Sequence, residues 1–324
     1  MSYAIETHAL VKTFGATRAL DGVDLRIARG TVYGLLGPNG AGKTTMVRIL
    51  STLRKPDSGT ALVLGHDVVR EARAVRGKVS LTGQYASVDE DLTGRENLVL
   101  VARLLGLSWS GARARAADLL ESFSLREAAG RQVSTYSGGM RRRLDIAASL
   151  VAIPEVLFLD EPTTGLDPRG RNEVWELVRR IAGAGTTVLL TTQYLDEADR
   201  LAARMAVIDQ GRVIAEGTSR DLKASVGANT LHLRLADVEQ RPRALEIVNR
   251  VLGEGLLPGQ DPAEVVARLK HDRQAVEVLG GLAAAGIALD EFSVGTPTLD
   301  EVFLALTGQP AEAPAPVPAT GKTT

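Results

Sequence analysis

The 324-residue sequence contains no cysteine, which excludes a disulfide framework and thiolate metal sites and fits a reducing cytosolic compartment. It also lacks an excess of either charge. Its 38 basic residues face 39 acidic ones, a net charge of −1, so no bulk affinity for nucleic acid is expected. Long apolar runs are missing too. The longest, Val278 to Leu289, is interrupted by Gly280, Gly281 and Gly286 and falls short of the ~20 residues that cross a bilayer. The opening, Met1 to Leu10, carries Glu6 and His8 and has neither the basic start nor the apolar core of a secretory signal, so it reads as the start of the mature protein. The closing stretch, Gln309 to Thr324, is dominated by Pro, Ala and Thr without an apolar period and reads as disordered. Its final Gly-Lys-Thr-Thr repeats the letters of Gly42 to Thr45 without a strand before it or a helix after it, so the match is accidental.

What is present is an ordinary globular composition, 44% hydrophobic, in a chain long enough for one large domain and a smaller appendage. From residue 1 to about 220, short apolar runs alternate with amphipathic stretches, the pattern of a sheet flanked by helices. Val32 to Leu36, Val156 to Asp160, Val188 to Thr192 and Met205 to Asp209 are expected as buried strands, and Ser110 to Ser122 and Met140 to Ala152 as helices. From 221 to 308 the pattern restarts. Strands are expected at Leu231 to Leu235, Glu264 to Leu269 and Ile287 to Val294, with helices at Pro242 to Leu252 and Gln274 to Ala284. The spacing predicts a small α+β domain there; it holds no P-loop, no metal-ligand cluster and only two histidines, His232 and His271, so a regulatory or dimer-stabilising role is expected, and a disordered tail from 309 to 324.

The chemistry concentrates in three motifs. Gly37, Pro38, Asn39, Gly40, Ala41, Gly42, Lys43, Thr44 and Thr45 come after one apolar strand and precede the helical run Met46 to Leu50, the context that a P-loop requires. Its glycines let backbone N–H groups converge on phosphates at a helix N-terminus, Lys43 supplies a cation for the β and γ phosphates, and the Thr44 hydroxyl is placed to ligate Mg²⁺. The second motif is the strand ending in Asp160 and Glu161. Taken alone, two acids at a strand end are most often solvated. Beside a P-loop, Asp160 is placed to hold Mg²⁺ and Glu161 to polarise the attacking water as general base. The third, Tyr136-Ser137-Gly138-Gly139-Met140, opens a helix whose N–H groups suit the γ-phosphate of a nucleotide delivered by a facing molecule. By itself Ser-Gly-Gly is more often an ordinary cap.

Together these motifs resemble the nucleotide-binding domain of ABC transporters, with the signature written YSGGM in place of the usual LSGGQ. The resemblance covers residues 1 to about 220 and implies an α/β fold, a P-loop NTPase of the ABC type with a helical subdomain, succeeded by the small C-terminal α+β domain. It implies that Thr163 to Asp167 form the D-loop, with Asp167 at the nucleotide. Gln84 then falls at the Q-loop position beside nucleotide and Mg²⁺, and Phe14 sits where an aromatic stacks on adenine. The stretches Ser80 to Asn97, Thr192 to Asp199 and Pro297 to Leu306 are similar to those of the daunorubicin-resistance-type drug-export ATPases. The resemblance implies an ATPase using ATP and Mg²⁺, peripheral at the cytoplasmic face of the cell membrane and partnered by an integral-membrane permease that binds most of the transported substrate. Nucleic acid is not an expected partner. The chain is expected to form a homodimer, or a heterodimer with a closely related chain, that sandwiches each ATP between one P-loop and the other chain's Ser137-Gly-Gly, and the segment from Gln84 to Asn97 to meet the permease. Two other readings stay open: a soluble ABC ATPase acting on ribosomes or DNA, and a nucleotide-binding regulatory module with little turnover. The run Arg141 to Arg143 is expected as half solvated face and half phosphate support. At Gln193 the sequence departs from the family, which places a histidine there. An amide cannot carry a proton or a charge near neutral pH, so the base must be Glu161, with Gln193 holding the γ-phosphate or the water.

Overall fold

The structure, a computed structural model, describes residues 2–83, 88–225, 229–253, 256–257, 261–271, 273–295 and 297–307. Gln84 and the tail from 309 to 324 lie outside the described residues. The chain divides into two compact units at the junction of Glu216 and Gly217.

The first unit is built on a six-stranded sheet in the order Arg212–Gly217, Arg204–Asp209, Val32–Leu36, Thr187–Thr192, Val156–Asp160 and Val79–Thr82. The pairs from Arg204–Asp209 through to Val79–Thr82 are parallel. Val32–Leu36, Val156–Asp160 and Thr187–Thr192 are buried along their whole length, which is why they read as continuous apolar runs rather than alternating ones: a parallel sheet is covered on both faces. Leu36 lies opposite Thr192 on one side and Val207 on the other, and Asp160 lies opposite Thr191. The carboxyl ends of these strands are therefore level, and the residues just beyond them meet at one edge, where ligands of parallel sheets bind.

A second sheet, Thr17–Ala28, Tyr3–Phe14, Ser58–Val63 and His66–Asp67, is antiparallel. Thr17–Ala28 keeps a period of two, with Val23, Leu25 and Ile27 buried, but its partner Tyr3–Phe14 slips register between Thr7 and Leu10 and again between Lys12 and Thr13. The slip after Thr7 moves the buried face of Tyr3–Phe14 from Ile5 and Thr7 to Leu10 and breaks its alternation. Three helices, Gly94–Leu104, Trp109–Ser122 and Gly138–Ser149, pack around Leu98, Ala102, Ala112, Ala116 and Leu144. The first opens with a capping box between Thr93 and Glu96, which satisfies two otherwise orphaned N–H groups. The helix expected from Met140 begins two residues earlier, at Gly138, because the Ser137 hydroxyl caps it by accepting from Met140 N at 3.3 Å. It ends at Ser149 rather than Ala152.

The second unit holds an antiparallel sheet in the order Leu256–Leu257, Glu264–Arg268, Thr230–Leu235 and Leu289–Gly295. Helices Arg241–Leu252 and Arg273–Ala284 bury Val248, Val278 and Leu282 against Leu231, Leu233, Val265 and Ala267. The closing helix, Leu299–Thr307, is tied to the sheet through Glu301. One carboxylate oxygen accepts from Thr230 Oγ1 at 3.2 Å, and the other lies 3.1 Å from His232 Nε2. That contact, with Glu264 on the other ring nitrogen, holds the His232 pKa above its ordinary value. No helix among the described residues is long and apolar enough to cross a membrane.

Candidate active site

The loop between Val32–Leu36 and the helix Lys43–Leu50 fits only with glycine at its two ends. A Cβ on Gly37 would sit 2.2 Å from the carbonyl oxygen of Ile208, and one on Gly42, at φ +112°, would sit 2.3 Å from that of Ala19. Ala41 is buried between them; its N–H donates to Pro38 O at 3.2 Å, and its carbonyl accepts from Gly211 N at 3.0 Å. Lys43, 4% exposed, folds back over this loop, its Nζ donating to Gly37 O at 2.6 Å and Pro38 O at 3.0 Å. The same Nζ lies 3.8 Å from Glu161 Oε1. Thr44 and Thr45 come next in the first turn, both half-buried.

Asp160 ends its strand 4% exposed. One carboxylate oxygen accepts from Thr44 Oγ1 at 3.2 Å and from Thr191 Oγ1 at 2.6 Å. Glu161 then leaves the sheet with φ +49°, a left-handed backbone that costs a residue with a Cβ energy. Its N–H bonds the carbonyl and hydroxyl oxygens of Thr191, each at 3.1 Å, which fixes the turn, and Thr164 Oγ1 donates to its Oε2 at 3.3 Å. Gln193 lines the same cleft as Glu161, and its buried Oε1 has no hydrogen-bond partner.

Glu161 and Gln193, with Asn39 of the loop, open onto a cleft of about 530 Å³ that Gly138, Arg142 and Thr164 also line, while Lys43, Thr44 and Asp160 do not line it. Of the signature residues, Gly138 reaches this cleft, while Ser137 and Gly139 do not line it. Asp167 is committed elsewhere, capping the helix Pro168–Gly183 by accepting from Gly170 N at 2.9 Å. Phe14 ends its strand 42% exposed, with Lys12 and Arg54 standing 5.5 and 5.4 Å from its ring centroid. Gln84 lies outside the described residues.

The arginine run is divided: Arg141 is 35% exposed and pairs with Glu90 at 2.9 Å, while its two neighbours turn inward. The Arg142 and Arg143 side chains are 11% and 17% exposed. The reason is the helix start at Gly138, which aims Arg142 into the sheet edge. Its guanidinium donates to Pro162 O at 2.8 Å, Gly83 O at 2.7 Å and Asp160 O at 3.2 Å. Burial lowers its pKa, opposed by the charges of Asp145, Glu197 and Asp160. Thr191 is a site residue that sequence reasoning missed, and Arg142, expected only as part of the arginine run, has an unforeseen part in holding the Asp160 turn. Thr191 is found only through strand adjacency, which no local pattern gives.

Residues 20–164 match the ABC transporter family, and residues 217–307 match the family described as ATP-binding protein DrrA1-3-like, C-terminal domain. Over 309 residues the chain is 58% identical to the daunorubicin/doxorubicin resistance ATP-binding protein DrrA of Streptomyces peucetius, covering 95% of this chain and 94% of that protein. It is 54% identical over 306 residues to the daunorubicin resistance ATP-binding protein DrrA3 of Streptomyces coeruleorubidus, covering 94% and 96%. Among solved structures, a dimeric ATP-binding cassette in a post-hydrolysis state bound to ADP and Pi superposes with a TM-score of 0.60 at 26% identity, covering 66% of this chain and 98% of that one.

Proposed function

The chain belongs to the ABC transporter family, in its daunorubicin-resistance-type ATP-binding branch, and on that premise we propose that it is the ATP-hydrolysing subunit powering a separate integral-membrane permease that exports a hydrophobic drug or antibiotic. The observation that carries the ATPase half is the convergence at one sheet edge of Lys43, Glu161 and the bonded pair Thr44 and Asp160. A bound nucleotide's β and γ phosphates take the place of the loop carbonyls now held by Lys43, and the N–H groups of the loop face the same anion. The Thr44 hydroxyl and the Asp160 carboxylate are hard oxygen donors 3.2 Å apart, the kind that suits Mg²⁺, and with Gln84 they would hold the ion beside the phosphates. When bound, Mg²⁺ neutralises charge that develops on the transferred phosphoryl group.

Glu161 acts as the general base on the attacking water, and Gln193 in the same cleft holds that water through its unpartnered Oε1, which accepts, or the γ-phosphate through its amide N–H, which donates. The exposed ring of Phe14 stacks on adenine. Two copies close around nucleotide so that Ser137, Gly138 and Gly139 of one face the γ-phosphate on the other, with Asp167 at the same junction; the dimeric structural neighbour supports this. The substrate is bound mainly by the permease, which puts this subunit at the cytoplasmic face of the membrane. Replacing Glu161→Gln keeps shape but removes the base. Light scattering with Mg-ATP should then find a stable dimer, and a variant that stays monomeric at saturating nucleotide would refute the sandwich.

A further inference from the structure

The proposed base works from a backbone turn that its own residue type does not favour. Glu161 has φ +49°, a conformation that persists only where the surroundings hold it. Thr191 holds one side of the turn, its carbonyl and hydroxyl oxygens both accepting from Glu161 N. The carbonyls on either side of Glu161 are held from elsewhere. Asp160 O accepts from Arg142 Nη2 at 3.2 Å, and Pro162 O accepts from Arg142 Nε at 2.8 Å. The third nitrogen, Nη1, donates to Gly83 O at 2.7 Å, just past strand Val79–Thr82, and to Asp145 Oδ2 at 3.3 Å on its own helix. Val79–Thr82 and Val156–Asp160 are parallel neighbours, so one guanidinium closes the carboxyl ends of both. We infer that Arg142 is a positioning residue for ATP hydrolysis: from the helix that Ser137 caps, its guanidinium clamps the backbone on both sides of Glu161 and so sets where the base stands.

The chemistry of the side chain suits that part. A guanidinium is planar, stays charged and offers five N–H groups in a fixed fork, whereas an ammonium is a point donor on a flexible stem. Here three nitrogens reach the carbonyls of three separate residues, a spread that one ammonium nitrogen does not cover. The side chain is 11% exposed, and its charge faces two buried acids, Asp145 at 1% and Glu197 at 0% on helix Leu195–Leu201. Water therefore does little to screen or replace the clamp. The clamp also acts on one half of the site. Lys43 is held by Gly37 O and Pro38 O, and Arg142 bonds neither. Loosening the clamp moves the base and leaves the phosphate cradle in place, which separates hydrolysis from binding.

The inference rests on the ATPase reading with Glu161 as base, and the test tells the two apart. Alanine at 142 would leave Asp145 buried without its partner, so the variant is Arg142→Lys, which keeps the charge and loses the fork. In the full-length chain with the permease present, kcat should fall about 100-fold, the order of loss that a misplacement of about 1 Å brings, while the Kd for ATP by isothermal titration stays within about threefold. Arg142→Gln combined with Asp145→Asn, which removes both charges of the buried pair together, should show the same split. In a Glu161→Gln background, Arg142→Lys should slow hydrolysis no further, because a residue that acts through the base has nothing left to place. An arginine that only stabilises the fold would lose affinity along with rate, or slow the Glu161→Gln chain as much as it slows wild type. Either result overturns the inference, and so does an Arg142→Lys chain with wild-type kcat. A wild-type chain that hydrolyses no ATP, or a Glu161→Gln chain as fast as wild type, removes the ATPase or the base reading itself, and the inference falls with it.

Discussion

Two residues at the cleft differ enough in chemistry to be told apart by rate. Gln193 can offer only a neutral hydrogen bond, and losing one costs roughly 0.5–1.5 kcal/mol, about tenfold in rate at most. A positioned general base contributes ~100-fold or more. Steady-state ATPase rates with the permease present should therefore find Gln193→Ala slowed modestly, Glu161→Gln nearly inactive and Gln193→His active; a Gln193→Ala variant as dead as Glu161→Gln would take the base assignment away from Glu161 alone. Glu197 makes a second, thermodynamic prediction. Its pKa is raised from 4.5 to about 7 in the folded chain, so the folded state holds the proton more tightly than the unfolded one. Below pH 4.5 the group is neutral in both states and costs nothing; as pH rises towards 7 its ionisation drains stability, and above 7 the loss is complete at roughly 3 kcal/mol. Thermal melts of wild type and Glu197→Gln should diverge across that window in favour of glutamine, and parallel curves would refute the buried ionisation. Lys43, Asp160 and Glu161 are legible in the sequence because a glycine-rich turn and an acidic strand end announce themselves locally. Thr191 and the inward contacts of Arg142 are not, since each acts through a neighbour along the chain that only the sheet order brings close.

At the level of elements, the buried parallel strands and the helices of the second unit are readable to within a few residues, because a run with no polar break leaves few alternatives. Strand Tyr3–Phe14 is not, as its bulges scramble the alternation on which strand reading depends, whereas Val23 to Ile27 in Thr17–Ala28 alternates cleanly and is a stretch that sequence reasoning missed. The closing helix Leu299–Thr307 is legible as a motif, but its means of attachment is hidden. The structure gives it a reciprocal cap, with Thr298 N donating to Glu301 Oε2 at 2.8 Å and Glu301 N to Thr298 Oγ1 at 3.2 Å, and a tie from Glu301 to His232. The His232 pKa is raised chiefly by the Glu301 hydrogen bond, against the opposing effect of burial. A raised histidine contributes stability that is fully present below its unfolded pKa and lost as pH climbs through the folded one. Amide exchange in Leu299–Thr307 should therefore accelerate as pH rises past 6.5 beyond its intrinsic pH dependence, and His232→Gln should remove the excess. If both chains show the same excess, the tie does not hold the helix.

Over the whole molecule, each of the two units carries its own core. The first buries Ile5, Leu35, Met46 and Phe158 in one cluster and Leu98, Leu144, Leu159 and Val178 in another. The second buries Leu231, Val248, Ala267 and Val278. All the candidate nucleotide residues that the structure describes precede Glu216. A unit with its own apolar core folds on its own terms, so a chain ending after Glu216 should keep its P-loop geometry and bind ATP within a few-fold of the full chain. Closure of two copies is a different matter, since binding energy there is shared over whatever surfaces the dimer buries, and a unit without nucleotide chemistry contributes through contact alone. The truncated chain should then dimerise more weakly with Mg-ATP, or power less export with the permease, while its equilibrium affinity for nucleotide holds. Isothermal titration with ATP and light scattering of a Glu161→Gln background, each with and without residues 217–324, measure the two effects separately. A truncation that folds, by its circular dichroism, yet binds no nucleotide would mean that the second unit supports the site itself; one that dimerises and supports export as the full chain does would leave that unit without the regulatory or dimer-stabilising part assigned to it.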